Sequence, residues 1–289
     1  MYTDKNGDKW YKIGLHTHTT LSDGHVSPEE AVRIYKEAGF DAIAITDHWL
    51  YNGESETDGL KILSGCEYNL GGGDTIDGVM HIVGVGMRYA PDITRNTSRQ
   101  ETIDRIIDTG GIAIFAHPAW SLNSKDDAKP LSGFSAIEIY NTVSDAHEST
   151  RPYSGYLIDV LANDDIIYPI IATDDAHYYD GTDETKSFAY VKSNSLETKD
   201  ILDAIRRGDV YGSQGPLLSV KREGNRIVAD CSICNLISFL SNSSWSQGKT
   251  FRGEGLTHAE YLLRDFEKWV RVEVRDANGK YAWSSIIRL

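Results

Sequence analysis

The sequence predicts an α/β fold: a TIM-like barrel of alternating strands and helices, followed by a small all-β, sandwich-like domain. Three observations predict it. Between residues 12 and 207, short apolar runs alternate with stretches whose apolar residues recur at helical spacing. Most of these runs lead straight into a histidine or an acid, as strand ends do around a barrel mouth. Beyond about residue 216 the helical period mostly stops and strand-like patterns take over.

Residues 12–15 form a short apolar entry into His16. Ser27-Pro28-Glu29-Glu30 reads as a helix start, with Ser27 as N-cap, Pro28 at the first helical position and Glu30 closing a capping box. Ala31, Ile34, Tyr35 and Ala38 follow at helical spacing, and Gly39 is a stop. Residues 42–46 form a buried strand that delivers Asp47 and His48, which completes a βαβ unit with parallel strands. The rhythm repeats with a strand at 60–66 ending at Glu67, a helix at 98–109, and strands at 112–115 and 136–140. A helix at 152–163, strands at 168–172 and 188–192, and a helix at 199–207 complete it. Units of this kind favour a barrel over an open sheet. His81 precedes its apolar run at 82–85 instead of following it. An antiparallel return from Glu67 through the turn-rich Gly71-Gly72-Gly73-Asp74 would bring the two together.

Past residue 216, the stretches 227–233, 236–240 and 269–274 read as strands, 257–265 as a short helix, and Asn278-Gly279 as a hairpin turn. Val270, Val272 and Val274 alternate with Arg271, Glu273 and Arg275, which predicts one buried face and one wet face. The expected domains are therefore 1–215 and 216–289.

The 289 residues suffice for a large core plus an appendage. A net charge of −14 argues against general nucleic-acid binding through a basic surface. It does not exclude an anionic substrate, because bound divalent ions invert the local field. The polar start lacks a signal-peptide core and no apolar run is long enough to span a bilayer, so a cytoplasmic protein is expected with no membrane partner. Cys66, Cys231 and Cys234 make no disulfide framework, and the lone Cys231-x-x-Cys234 reads as a plain β-segment rather than a zinc knuckle. Oligomeric state is not legible.

A single histidine is more often a satisfied polar residue than a ligand, but six of the nine here fall in short runs that together carry histidines and acids, nearly all at predicted strand ends. His16-x-His18 can aim two rings at one ion, and Asp175-x-His177 repeats the arrangement at a distant strand end. Glu67 can bridge two ions. Imidazoles with carboxylates suit zinc, manganese or iron. Asp47 reads as an orienting partner for an imidazole. His25, His147 and His258 lack such a context. Such a polynuclear site is usually hydrolytic, working through a metal-activated water with no protein nucleophile. No Gly-x-Ser-x-Gly elbow is present, and Gly71-Gly72-Gly73 is not followed by a P-loop lysine.

The runs His16-Thr-His18-Thr-x-x-Ser-Asp23-Gly, Ile45-Thr-Asp-His48, Gly-x-Glu67, His81, Ala-His117-Pro and Asp175-Ala-His177 resemble the PHP (polymerase and histidinol phosphatase) family over residues 11–215. The resemblance implies a distorted seven-stranded β/α barrel with a trinuclear metal centre at its mouth. It implies one ion on His16, His18, Glu67 and Asp175, and a second on Glu67, His81 and His117. A third would sit on Asp23, His48 and His177, with aspartate where some members have histidine. Gly212-Ser-Gln-Gly215-Pro216, Val270-Arg-Val-Glu-Val and Gly279-Lys-x-Ala-Trp283-Ser are similar to the tail of PHP proteins grouped with carbaryl hydrolase.

These readings imply a metal-dependent phosphoesterase that uses up to three divalent ions on a small-molecule, anionic phosphate ester. One alternative keeps the metals and cleaves a carbamate, carboxylic ester or amide. Another is a metal-stabilised interaction module without catalysis. Trp120 could stack on a planar substrate group or anchor its loop. Asn141 and Arg151 could reach substrate or be solvated.

Overall fold

The computed structural model describes residues 1–71 and 78–289. Strand β1 (Tyr2–Thr3) pairs antiparallel with β2 (Lys9–Gly14), which runs into His16. Helix α1 (Pro28–Glu37) starts where Ser27 Oγ accepts the N–H of Glu30. The expected box stays half-made, because the Glu30 carboxylate turns outward to Arg33. Strand β3 (Ala42–Ala44) lies parallel to β2. The chain continues through β4 (Ser55–Thr57), β5 (Leu60–Leu63), β6 (Gly65–Gly71), β7 (Val79–Val85), α2 (Arg99–Asp108) and β8 (Ile112–Phe115). Then come α3 (Lys125–Ala128), β9 (Phe134–Asn141), a π-helical turn at Ser144–Glu148, α4 (Gly155–Asn163) and β10 (Ile170–Thr173). Strand β11 (Phe188–Lys192), α5 (Thr198–Arg207) and β12 (Val210–Ser213) follow.

Two expectations about Glu67 and His81 are resolved here. The chain breaks at Ser64 between β5 and β6 and changes sheets, so Glu67 lies inside β6 rather than at a strand end. Gly65 permits the crossing, since a Cβ there would sit 2.5 Å from Ile45 O. The antiparallel return forms: Asn69 faces His81 and Glu67 faces Val83. Of the turn expected at Gly71-Gly72-Gly73-Asp74, all but Gly71 lies outside the described residues.

The fold is mixed α/β, built on two sheets. One runs β10-β9-β8-β7-β6. The other contains β12-β11-β2-β3-β5-β4 and extends beyond β12. Among the described residues the ladders do not close into a continuous barrel. Single parallel bridges, Thr17 to Ala176 and His48 to Glu67, stitch the two seams. Asp175, at φ 54°, ends the extended run of β10 and limits pairing there. The sheets nonetheless share one core, in which Ile13, Leu15 and Ala44 pack with Val83, Ile114 and Ile171.

The remaining strands are β13 (Leu218–Glu223), β14 (Arg226–Ser241), β15 (Thr250–Leu262), β16 (Trp269–Arg275), β17 (Tyr281–Ser284) and β18 (Ile287–Arg288). Three expectations are corrected. The two strands at 227–233 and 236–240 are one strand, β14, with register shifts between Asp230 and Leu236. The short helix at 257–265 is strand instead: Ala259 and Tyr261 are buried between exposed neighbours and pair with β14. Arg271 is not on a wet face; it is 1% exposed and bound to Asp159 on α4. The C-terminal strands also continue the larger sheet, as β13-β14-β16-β17 joins β12 through β17. Among the described residues no helix is long and apolar enough to cross a membrane.

Candidate metal centre

Both sheet seams open onto one cavity of about 240 Å³. Chain turns just past β3, β8 and β10 deliver histidines to it, β6 and β7 add Glu67 and His81 from within their strands, and the turn past β2 sets His16 and His18 against Glu67. Backbone conformation is part of the delivery. His117 has φ 23° and Asp175 φ 54°. A non-glycine residue held at positive φ costs roughly 1–3 kcal/mol, and such strain gathers at functional sites.

The tightest group is fully buried. His16 Nε2 lies 3.1 Å from Glu67 Oε2 and 3.1 Å from Asp175 Oδ1. His18 Nε2 lies 3.0 Å and 3.1 Å from the same two oxygens. Despite these distances, His16 Nε2, His18 Nε2, His48 Nδ1 and Asp175 Oδ1 are buried and have no hydrogen-bond partner. The atoms of His16, His18 and Asp175 converge with Glu67 on a common point rather than on one another. A tetrahedral ion with bonds of about 2.0–2.1 Å needs edges of roughly 3.3–3.4 Å, close to those present. Buried polar atoms left without partners are costly, so this donor set fits a divalent ion.

Glu67 joins two sides of the cavity. Its Oε2 serves that group and lies 3.3 Å from His48 Nδ1, while its Oε1 lies 2.7 Å from His81 Nδ1 and 3.2 Å from His117 Nε2. A second cluster with metal-holding spacing is therefore His48, Glu67 and His81, with His117 alongside. The third comprises His18, Asp23, His48 and His177. Asp23 stands at the mouth, 3.4 Å from His18 Nδ1, 3.6 Å from His48 Nε2 and 3.5 Å from His177 Nε2. Seven of the nine expected ligands thus line one cavity, and the other two, His16 and His18, are buried against its Glu67 and Asp175.

The charges interlock. Burial works against protonating His16, but Asp175, Glu67 and Glu138 outweigh it and hold its pKa well above the usual imidazole value. His18 is raised in the same way, burial being outweighed by Asp175, Asp23 and Glu67. Burial also opposes ionising Glu67 and Asp175, yet the surrounding histidines hold both well below the carboxylate range. Burial dominates at His48 and His81 and lowers their pKa values.

A supporting ring was largely missed in the sequence. Glu138 Oε1 lies 2.8 Å from His16 Nδ1, and its Oε2 accepts the backbone N–H of His117 at 2.8 Å. Asn141 is buried and donates to Glu138 at 3.0 Å and to Asp175 Oδ2 at 3.2 Å. It is a support for ligands, not a loop residue reaching for substrate. The available signal was a charge in the apolar run Ala136-Ile-Glu138-Ile. Asp183 accepts the N–H groups of His177, Tyr178 and Tyr179, pinning the loop after β10. Asp47 does not touch an imidazole among the described contacts. It accepts Thr19 N and Ser22 Oγ, each at 2.8 Å, and Ser22 Oγ lies 3.4 Å from His18 Nδ1. Asp174 ends its strand and more: burial pushes it up to about 7, and it accepts N–H groups from residues 185–187.

Trp120 meets the rings of His81 and His117 edge-on at 5.4 Å and 5.1 Å and lines the cavity. His25 also lines it, against Tyr178. Arg151 is exposed and does not line it. Among the described residues no lysine or arginine lines the cavity. Cys231 and Cys234 both sit in β14, and no described metal-holding group includes them.

The sequence matches the PHP domain family across residues 14–195. An uncharacterized protein of Methanocaldococcus jannaschii is 32% identical over 119 residues, which is 37% of this chain and 67% of that protein. A PolC-type DNA polymerase III of Oceanobacillus iheyensis is 43% identical over 75 residues, 23% of this chain and 5% of that protein. A solved two-domain protein of Bacteroides vulgatus, described as containing a predicted PHP-like metal-dependent phosphoesterase, has a TM-score of 0.54 and 14% identity. It covers 100% of this chain and 97% of that one, and the likeness is one of fold. With the match spanning the segments that build the cavity, the chain belongs to the PHP family of metal-dependent hydrolases.

Proposed function

We propose that this protein is a phosphoesterase that hydrolyses a small phosphate ester at a centre of up to three divalent ions. The observation that carries the reading is Glu67, whose two oxygens face separate histidine groups around partnerless buried atoms. When bound, divalent ions supply Lewis acidity, activating water and taking up charge on phosphoryl oxygens. His16, His18, Glu67 and Asp175 would hold one ion, Glu67, His81 and His117 a second, and Asp23, His48 and His177 a third. Zinc, manganese and iron all suit such donors. Glu138 and Asn141 fix the ligands' orientation, and Asp47 braces the 19–22 turn. Trp120 and Tyr178 shape the entrance. The proposal keeps a distorted, unclosed seven-stranded β/α barrel over 1–215 bearing this centre, with a sandwich-like region over 216–289 that shares its larger sheet.

A second reading, cleavage of a carbamate, carboxylic ester or amide, draws on the absence of side-chain cations from the cavity lining. One experiment separates the two. Protein loaded with manganese or zinc is offered an aryl phosphate, a nucleoside monophosphate and an aryl ester. The phosphoesterase reading expects phosphate release that disappears in Asp175→Ala; turnover of the ester alone overturns it.

A further inference from the structure

We propose that the C-terminal strands are a working part of the metal centre, with Tyr153 and Ser154 as positioning residues. The inference rests on the metal-centre reading above. Residues 152–154 run beside the end of β9. Asn141 N–H donates to Pro152 O at 3.1 Å, Ser154 N–H donates to Ile139 O at 2.8 Å, and Tyr140 bridges to Tyr153. The same short segment therefore sets the backbone of Asn141, whose side chain holds Asp175 and Glu138. Glu138 in turn holds His16 and the His117 backbone. Ser154, 2% exposed, accepts the N–H of Ala119 at 3.2 Å. That contact ties the segment to the loop bearing His117 and Trp120.

The other side of the segment is held by the C-terminal strands. The Tyr153 hydroxyl donates to Glu273 on β16 and lies 3.4 Å from Arg271 Nη2. Arg271 is buried and also grips Asp159 of α4 through two bonds, at 2.6 Å and 2.9 Å. Trp283 of β17, 1% exposed, stacks on Tyr140 at 5.4 Å and 18°. Gly155 leaves room for this arrangement, since a Cβ there would overlap the Tyr153 ring. Burying a guanidinium is costly, and replacing such a cluster with apolar side chains is often neutral or stabilising. Stability alone does not explain the cluster; its geometry does, because it fixes a hydroxyl that orients the segment behind three ligands.

The test compares Tyr153→Phe and Ser154→Ala with Tyr261→Phe. Tyr261 of β15 bonds Glu267 in the turn before β16 and has no described contact with the centre. Manganese titration by calorimetry, the melting temperature of the metal-free protein, and kcat and KM on an aryl phosphate are read for each. Loss of a ligand's supporting partner typically weakens metal affinity about 10–100-fold. Ser154→Ala and Tyr153→Phe are expected at about tenfold, with kcat lowered and KM unchanged, while Tyr261→Phe shifts melting alone. The proposal is overturned if both positioning variants bind manganese like the unaltered protein, or if Tyr261→Phe weakens binding equally. Should the unaltered protein itself bind neither manganese nor zinc, the metal-centre reading falls first, on its own evidence.

Discussion

His16 and His18 carry opposing demands. In the metal-free protein burial disfavours their charged forms, yet Asp175 and Glu67 raise both pKa values well above 6.5. A raised imidazole contributes stability that is fully present below its unfolded pKa and is lost as pH rises through the folded value. Glu67 and Asp175 are depressed, so their contribution is present above the unfolded carboxylate pKa and is lost as pH falls through the folded one. Metal ligation requires neutral imidazoles. Loading zinc at pH 7 should therefore expel protons from His16 and His18. Calorimetric titrations in buffers of different ionisation enthalpy measure this: a binding enthalpy that tracks the buffer is expected. An enthalpy independent of buffer would mean that the rings were already neutral. For the same reason affinity should rise with pH above neutrality, until the two rings have lost their protons.

At the scale of elements, the loop after β10 shows how a short acid stands in for secondary structure. Asp183 is fully buried and accepts three consecutive N–H groups, from His177 to Tyr179. Without it those donors lose their only described side-chain acceptor, and His177 is no longer aimed at Asp23. Asp183→Ala should therefore lower the number of ions bound per chain, as measured by metal analysis after dialysis, and spare the site around His16. Full stoichiometry in that variant would show that His177 is held by other means. Such supports were hard to read from sequence because their partners are backbone groups brought close only by the fold. Most of the ligands were legible because they follow or sit in an apolar run, and Glu67 with His81 was recoverable once an antiparallel return was allowed. The residues 257–265 were misread because Tyr261 and Leu262 beside Ala259 suit either period. Pairing with β14 decided for strand. Likewise the Val-Arg-Val-Glu-Val alternation hid a buried arginine, because α4 covers the face that the pattern assigns to water.

At the scale of the whole molecule, the boundary at 215/216 falls inside a continuous hydrogen-bonded sheet. Strand β17 pairs with β12, matching Tyr211, Gly212 and Ser213 to Ser284, Trp283 and Ala282. Gly212 belongs to that seam, where a Cβ would lie 2.7 Å from Ala172 N, so the β10 backbone packs directly against it. Trp283 is buried in the core that also contains Phe115, Ile137 and Ile170. Ser285 Oγ accepts the N–H of Ile170 at 3.0 Å and donates to Val210 O at 2.8 Å. A chain ended after Gly215 would keep every expected metal ligand but would expose the β12 edge and remove the indole beneath Tyr140. Fully burying one large aromatic contributes on the order of 3 kcal/mol, a large share of the roughly 5–15 kcal/mol that holds a domain together. The fragment 1–215 should therefore lack a cooperative thermal transition by circular dichroism and bind manganese weakly, while the full chain melts in one step that metal shifts upward. A fragment that melts cooperatively and binds manganese like the full chain would show that the C-terminal strands are an appendage. Loss of both together would show that the ligands depend on strands that contribute no ligand themselves.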